Sequence, residues 1–172
     1  MQGLLLPQPG APAAPAHPPD PETSAFGFGA IVGRSRVLRD AVKLAKRMAA
    51  SRTTVLLVGA TGSGKELFAR GIHYEGVTAR EPFVAVNCAA IPEMLLESEL
   101  FGEEGRRAGL VELAGRGTLF LDEVSATPLT LQPKLLRLLE GGRFRRLGGS
   151  EEVEVACRIV AASNVSLEEA VA

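Results

Sequence analysis

Short apolar runs alternate with amphipathic segments along most of the chain, and this alternation limits the fold more than any other feature of the sequence. Runs rich in β-branched and aliphatic residues predict strands, and apolar residues at helical spacing between them predict helices. Strands are predicted at 53–58, 83–86, 118–121 and 158–162, the first of them buried on both faces. The alternation predicts an α/β protein in which helices flank a parallel sheet.

Helical spacing is clearest over 35–50, where Ser35 is suited to cap the first turn. Further helices are predicted from near Gly64, over 91–100 and over 129–140. Before all of these, residues 7–22 are rich in proline, a composition that favours extended conformations and cannot form a core. The sequence therefore predicts a proline- and alanine-rich tail or linker over 1–24 and one folded domain over 25–172.

Composition excludes several classes of protein. Hydrophobic residues make up 46% of the 172 residues and the formal net charge is -1, which indicates a globular chain that does not attract nucleic acid or anionic lipid as a whole. Cys88 and Cys157 lie far apart without metal-ligand spacing, which argues against a disulfide framework or a zinc site and favours the reducing cytoplasm. The first residues show neither a signal peptide nor a membrane span.

A glycine-rich loop follows the first predicted strand and precedes a predicted helix. Its residues match the GxxxxGK part of the phosphate-binding loop: Gly59, Ala60, Thr61, Gly62, Ser63, Gly64 and Lys65. Glycines let backbone N–H groups turn around a polyphosphate, the helix N-terminus adds a favourable dipole, and Lys65 neutralises the β- and γ-phosphates. Because Glu66 stands where the general motif has serine or threonine, the usual hydroxyl ligand of magnesium must be replaced elsewhere.

Two carboxylates, Asp122 and Glu123, directly follow the apolar run at 118–121. Open α/β sheets bind ligands at the carboxyl ends of their strands. Asp122 is predicted to hold magnesium, directly or through water, and Glu123 to polarise the water that attacks the γ-phosphate. Together with the glycine-rich loop, this Walker B pattern indicates a nucleoside triphosphatase core.

Asparagines end two further predicted strands. Asn87 follows the run at 83–86, and Asn164 comes shortly after the run at 158–162. Since parallel strands bring their carboxyl ends to one sheet edge, both side chains are predicted to reach the γ-phosphate region. The alternative for each is a cap of the following helix, and the sequence favours neither role.

Five segments carry a family resemblance, at 59–67, 82–92, 95–102, 117–123 and 144–149. They resemble the sigma-54-interaction AAA+ domain of bacterial enhancer-binding proteins, and the resemblance covers about residues 27–169. It implies a three-layer α/β/α P-loop NTPase core with strand order 1-4-3-2. It also implies an ATPase that forms hexameric rings and remodels the sigma-54 RNA polymerase holoenzyme. Glu66 is ordinary in this family, which normally carries glutamate after the loop lysine, and it is expected with the loop among the nucleotide-binding residues.

The resemblance also implies roles for single residues. Gly62, Gly64 and Lys65 would hold phosphates, Asp122 would serve magnesium and Glu123 would activate water. Asn87 matches the residue that restrains the catalytic glutamate until the ring is engaged. Asn164 matches the first sensor, although Ser163 stands where threonine is usual. The adenine pocket would be lined by Ile31, Val32 and Gly33.

Two features depart from the family pattern. Only residues 103–109 stand where the family inserts the GAFTGA loop that touches sigma-54, and the chain ends at Ala172, before the family's arginine fingers, last core strand, helical lid and second sensor. The resemblance then implies an incomplete core that hydrolyses ATP weakly by itself and leaves the apolar run at 55–58 as an uncovered edge. No helix-turn-helix pattern follows, so no DNA-binding domain is expected in this chain.

The sequence therefore predicts the ATP-binding core of a sigma-54-dependent transcriptional regulator that uses ATP and Mg²⁺. Through the resemblance, its expected partners are further subunits of a ring and the sigma-54 RNA polymerase. The alternative is a catalytically inactive nucleotide-binding module, or a regulator that acts without sigma-54.

Overall fold

The computed structural model describes residues 27–165, so the tail predicted for 1–24 lies outside the described residues. Five α-helices lie within this part of the chain: α1 (Arg36–Ala49), α2 (Lys65–Tyr74), α3 (Glu93–Phe101), α4 (Leu110–Ala114) and α5 (Gln132–Gly141). The strands are β1 (Val55–Val58), β2 (Phe83–Asn87), β3 (Thr118–Asp122), β4 (Arg143–Arg145), β5 (Glu152–Glu154) and β6 (Arg158–Ser163). None of the helices in residues 27–165 is long and apolar enough to cross a lipid bilayer.

Four parallel strands form the central sheet in the order β1-β6-β3-β2. Numbered along the chain among themselves, these strands have the order 1-4-3-2, which confirms the expected topology. The remaining strands, β4 and β5, pair with each other as an antiparallel hairpin that the sequence did not predict. Its strands have three residues each, too few to show a clear alternation of apolar and polar side chains.

Helix α1 forms where the sequence places it. The Ser35 hydroxyl accepts a hydrogen bond from the Leu38 backbone N–H at 3.1 Å and so caps the first turn. Ala45 and Ala49 are buried on the inner face of this helix. Helix α5 starts later than predicted, at Gln132, with Pro133 in its first turn, where a missing backbone N–H breaks no hydrogen bond.

Two apolar cores lie on opposite faces of the sheet, which confirms the three-layer arrangement. Side chains of β3 alternate between them: Leu119 and Leu121 join the core beneath α3, α4 and α5, whereas Phe120 joins the core beneath α1 and α2. All three are at most 2% exposed. The second core also contains Ile72 of α2 and Val160 of β6.

Strand β1 is less buried than the sequence predicted. Leu56 is 40% exposed and Val58 is 56% exposed, so the expectation of a strand buried on both faces is wrong for β1. The reason is its position: β1 pairs with β6 on one side and is an edge of the sheet formed by residues 27–165. This agrees with the expectation of an uncovered apolar edge.

Polar side chains are buried at the amino end of the sheet, opposite the phosphate-binding loop. His73 Nδ1 lies 2.9 Å from Thr118 Oγ1, which lies 3.0 Å from Thr78 Oγ1. Beside them, Arg158 is 1% exposed and donates from Nη2 to the Met48 carbonyl at 2.8 Å. The pKa of His73 is lowered from 6.5 to about 4, chiefly by burial and to a smaller extent by the neighbouring Arg158 and Arg70, while the Glu81 carbonyl opposes the shift.

We expect this histidine to make the fold sensitive to mild acid. Because His73 has a lower pKa in the folded chain than in the unfolded chain, the unfolded chain binds more protons between pH 6.5 and about 4. The free energy of unfolding should therefore fall by about 3 kcal/mol as the pH drops through this window. Urea unfolding of the wild type and of His73→Gln across that range measures the effect. An equally steep loss of stability in the variant would contradict this origin.

Candidate functional site

The glycine-rich loop joins the edge strand β1 to helix α2, as the sequence predicted. Gly62 and Gly64 have φ values of 77° and 86°, which lie in the left-handed region that favours glycine. Gly64 is also the N-cap of α2, and it has no side chain to satisfy the first N–H groups of the helix. The loop thus presents a helix N-terminus suited to an anion.

The ammonium group of Lys65 lies over this loop. Its Nζ donates to the backbone carbonyls of Gly59 at 2.8 Å and Ala60 at 3.2 Å. Lysine is the first residue of α2, so its charge and the positive end of the helix dipole act at the same place. A phosphate group in the loop would offer Nζ a charged acceptor in place of these neutral carbonyls.

The side chain of Glu66, next to Lys65, forms its hydrogen bonds within helix α2. Its Oε1 accepts hydrogen bonds from Arg70 Nε at 2.9 Å and Arg70 Nη2 at 2.7 Å, one helical turn further along α2. The structure therefore pairs the carboxylate that replaces the usual serine or threonine with an arginine. Arg70 was not among the predicted site residues, although the spacing of four residues between an acid and a base on a helix is a signal for such a pair.

Because the four strands are parallel, the loop and the strand-end residues all lie at the carboxyl edge of the sheet, where the strands end. Val58 of β1 pairs in register with Ser163 of β6, and Asn87 of β2 pairs with Asp122 of β3. The backbone N–H of Gly59 donates to the Ser163 carbonyl at 3.1 Å, so the first residue of the loop is tied to the end of β6. The carboxyl ends of all four strands therefore lie on the same side of the sheet as the phosphate-binding loop.

Asp122 and Glu123 lie half-buried at this edge. Asp122 Oδ1 accepts a hydrogen bond from the Glu123 backbone N–H at 3.0 Å. Glu123 has φ 52° and ψ 47°, and among residues 27–165 it alone has positive φ without being glycine. This left-handed conformation costs about 1–2 kcal/mol, and strain of this kind clusters at functional positions.

The two predicted asparagines reach the same edge in different surroundings. Asn87 Oδ1 accepts hydrogen bonds from the backbone N–H groups of Ala89 at 2.9 Å and Ala90 at 3.2 Å, so its side chain caps the turn after β2. Within the described residues, no hydrogen bond joins Asn87 to Glu123. Asn164 lies exposed in the bend directly after β6. Their catalytic roles stay predictions.

The segment predicted to line an adenine pocket follows a single 3-10 turn at Phe28–Ala30. Ile31 packs against the core beneath α1 and α2, whereas Val32 is 93% exposed and Gly33 is exposed. Beyond them, an apolar groove of about 430 Å³ runs between α1, β1 and α2 to Gly59, Ser63 and Lys65 of the loop. The role of the segment in holding adenine stays a prediction.

Comparison with known proteins fits this geometry. The family model described as the sigma-54 interaction domain matches residues 31–172. This chain belongs to the sigma-54 interaction domain family. The domain is 49% identical over 150 residues to a Nif-specific regulatory protein of Rhodobacter capsulatus, and 46% identical over 154 residues to the regulatory protein AtoC of Escherichia coli K12. These matches cover 83% and 85% of the chain but 26% and 33% of the two relatives.

Solved structures show the same architecture. NtrX from Brucella abortus, solved in complex with ADP and in complex with ATP, is 38% identical to this sigma-54 interaction domain with a TM-score of 0.78. Each match covers 82% of the chain and 32% of NtrX. The P-loop NTPase domain of an Escherichia coli sigma-54 activator, 22% identical with a TM-score of 0.55, supports the fold alone.

In this sigma-54 interaction domain, the segment between α3 and α4 is a closed turn. The Glu103 backbone N–H donates to the Arg107 carbonyl at 3.0 Å. The Leu147 N–H donates to the Gly102 carbonyl at 2.9 Å, and the Glu104 N–H donates to the Leu147 carbonyl at 3.1 Å. These bonds join the short segment to the residues that follow β4, a contact that sequence analysis did not predict.

Arginines strengthen this closure. Arg146 donates from Nε to Glu112 Oε1 at 2.9 Å and from Nη2 to Glu112 Oε2 at 2.7 Å, and this pairing holds the pKa of Glu112 below its ordinary value. Arg107 forms an ion pair with Glu99 at 2.9 Å, whereas Arg106 is largely exposed. Glu99 of α3 thus ties Arg107 to the helix that precedes the turn.

Proposed function

We propose that this domain binds ATP with Mg²⁺ at the carboxyl edge of its sheet and couples the bound nucleotide to the control of bacterial transcription initiation. The observation that carries the proposal is the convergence of the loop 59–65 with Asp122 and Glu123 on one sheet edge. A nucleoside triphosphate needs both a cradle for its phosphates and acidic residues for its metal. NtrX, a relative with this fold, was solved with ATP and with ADP.

The residues at this edge fit the chemistry of a magnesium nucleotide. Backbone N–H groups of the loop and Lys65 would hold the β- and γ-phosphates. Mg²⁺ prefers carboxylate oxygens and water, and the half-buried Asp122 offers such an oxygen. When bound, the ion would neutralise charge on the phosphates. Glu123 would accept a proton from the attacking water, and Asn87 and Asn164 would lie near the γ-phosphate.

The family supports a role in sigma-54-dependent transcription. We propose sigma-54 RNA polymerase and further subunits of a ring as partners of the protein that carries this domain. One observation favours the alternative of a nucleotide-binding interaction module: residues 102–109 close on Leu147 through their own backbone, without the GAFTGA sequence that touches sigma-54 in the family. In that case ATP binding is retained, and contact with sigma-54 is not.

Magnesium-dependent binding of a fluorescent ATP analogue to the purified domain tests the proposed site. We expect Mg²⁺ to tighten binding to the wild type and Asp122→Asn to lower this gain about tenfold, because the variant loses one charged metal ligand. A matched control is Asp40→Asn, which changes an exposed carboxylate of α1 that pairs with Arg36 and Lys43. Equal magnesium dependence in the wild type and Asp122→Asn would contradict the metal assignment.

A further inference from the structure

Glu66 is the second residue of α2, so the negative charge of its carboxylate can repel an anion bound at the N-terminus of this helix. The N-terminus of α2 carries the positive end of the helix dipole and is the proposed position of the nucleotide phosphates. Side chains on a helix lean back towards its N-terminus, so an unrestrained carboxylate at the second residue would itself occupy this favourable field. Such a carboxylate would compete with phosphate and repel it.

Arg70 prevents this arrangement in the structure. Two of its guanidinium nitrogens, Nε and Nη2, bind the same oxygen of Glu66 at 2.9 and 2.7 Å. The guanidinium also lies over the ring of Phe83, 5.0 Å from its centroid, at the start of β2. Arg70 is the less exposed partner, with 26% of its side chain exposed against 52% for Glu66. The Arg70 side chain is therefore the one fixed against the sheet, and the more exposed Glu66 carboxylate turns towards it.

We propose that Arg70 is a positioning residue for nucleotide binding. It neutralises Glu66 and draws the carboxylate along the helix, away from the phosphate-binding loop, and it thereby sets the preference for triphosphate over diphosphate. The inference rests on the proposed nucleotide site. It goes further by giving this site an electrostatic control, because a freed carboxylate repels a triphosphate more than a diphosphate.

A purely structural role predicts a different pattern. Exposed ion pairs four residues apart on a helix contribute little to stability. If breaking this pair only loosened the helix, the binding of all nucleotides would weaken equally. Repulsion by Glu66 instead scales with the charge of the ligand and weakens as salt screens it. The two roles therefore differ in the ratio of ATP to ADP affinity and in the dependence of that ratio on salt.

The experiment measures ATP and ADP affinities of the wild type, R70Q, E66Q and the double variant at low and high salt. We expect R70Q to weaken the binding of ATP about tenfold and the binding of ADP about threefold at low salt. In the E66Q background, the same arginine substitution should change either affinity less than about twofold, since no carboxylate is left to repel phosphate. R143Q is the matched control, because it breaks an exposed arginine–glutamate pair with Glu154 on the β4–β5 hairpin.

Several results overturn the proposal. A loss in R70Q that is equal for ATP and ADP, or that persists in the E66Q background, assigns Arg70 a structural role only. Unchanged affinity in R70Q removes the role altogether. If the wild type binds nucleotide and K65A does not, the proposed site stands whatever Arg70 does. If the wild type itself fails to bind, the proposed function and this inference fall together.

Discussion

Replacing Lys65 with alanine is expected to weaken the binding of magnesium ATP at least about 100-fold. Each hydrogen bond from an ammonium group to a charged acceptor contributes about 1.5–3 kcal/mol, and Lys65 would face both the β- and the γ-phosphate. The ammonium already lies at the loop, on the carbonyls of Gly59 and Ala60, so little reorganisation precedes its contact with phosphate. The loss should be larger for ATP than for a nucleoside monophosphate.

Fluorescence titration of the wild type and Lys65→Ala with a labelled ATP analogue measures this loss. Lys43→Ala is the matched control, because Lys43 is an exposed lysine of α1 that pairs with Asp40 at 3.6 Å. Circular dichroism of both variants confirms that the fold is retained. Unchanged affinity in a folded Lys65→Ala protein would remove the loop from the nucleotide site.

Truncating Phe120 to alanine is expected to lower the free energy of unfolding by about 3–5 kcal/mol. Phe120 is 2% exposed in the middle of the central strand β3, and its ring stacks on Phe83 with 6.2 Å between centroids. Sheet residues on either side cannot collapse into the space, because β3 is paired with both β2 and β6. A small domain has about 5–15 kcal/mol of stability in total, so much of the margin would be lost.

Urea unfolding followed by far-ultraviolet circular dichroism tests this expectation. Leu129→Ala serves as the control, because Leu129 is 80% exposed and should change stability by less than about 0.5 kcal/mol. A loss below about 1 kcal/mol in Phe120→Ala would show that the core beneath α1 and α2 repacks around the missing ring.

Local sequence signals predicted the elements that the structure contains at the nucleotide edge. The strand before Gly59, the helix after Gly64 and the strand that delivers Asp122 were all readable, because each has its own apolar pattern and its own boundary residues. Parallel pairing then forced their carboxyl ends together. The strand order came from the family resemblance, since apolar runs alone do not say which strands are neighbours.

Features that depend on distant partners were not readable. The exposure of Leu56 follows from the edge position of β1, which the family resemblance implied but which no local pattern records. In the structure Asn87 caps the turn at Ala89 and Ala90. The sequence did not decide between this cap and a contact with the γ-phosphate, because asparagine suits both roles. The pairing of Arg146 with Glu112 joins residues 34 positions apart, and a sequence contains many such pairs of opposite charge.

The closed turn between α3 and α4 is a place where further residues can be engineered into the chain. A Cβ atom on Gly102 would lie 2.6 Å from the Gly109 nitrogen, so the two ends of the turn touch through their backbones. A peptide inserted between residues whose backbones already touch forms a loop with its ends close together. Each doubling of the length of such a loop adds only about 0.6 kcal/mol to the free energy of closing it. The turn is therefore a permissive insertion site, where chain length can change greatly while both cores stay intact.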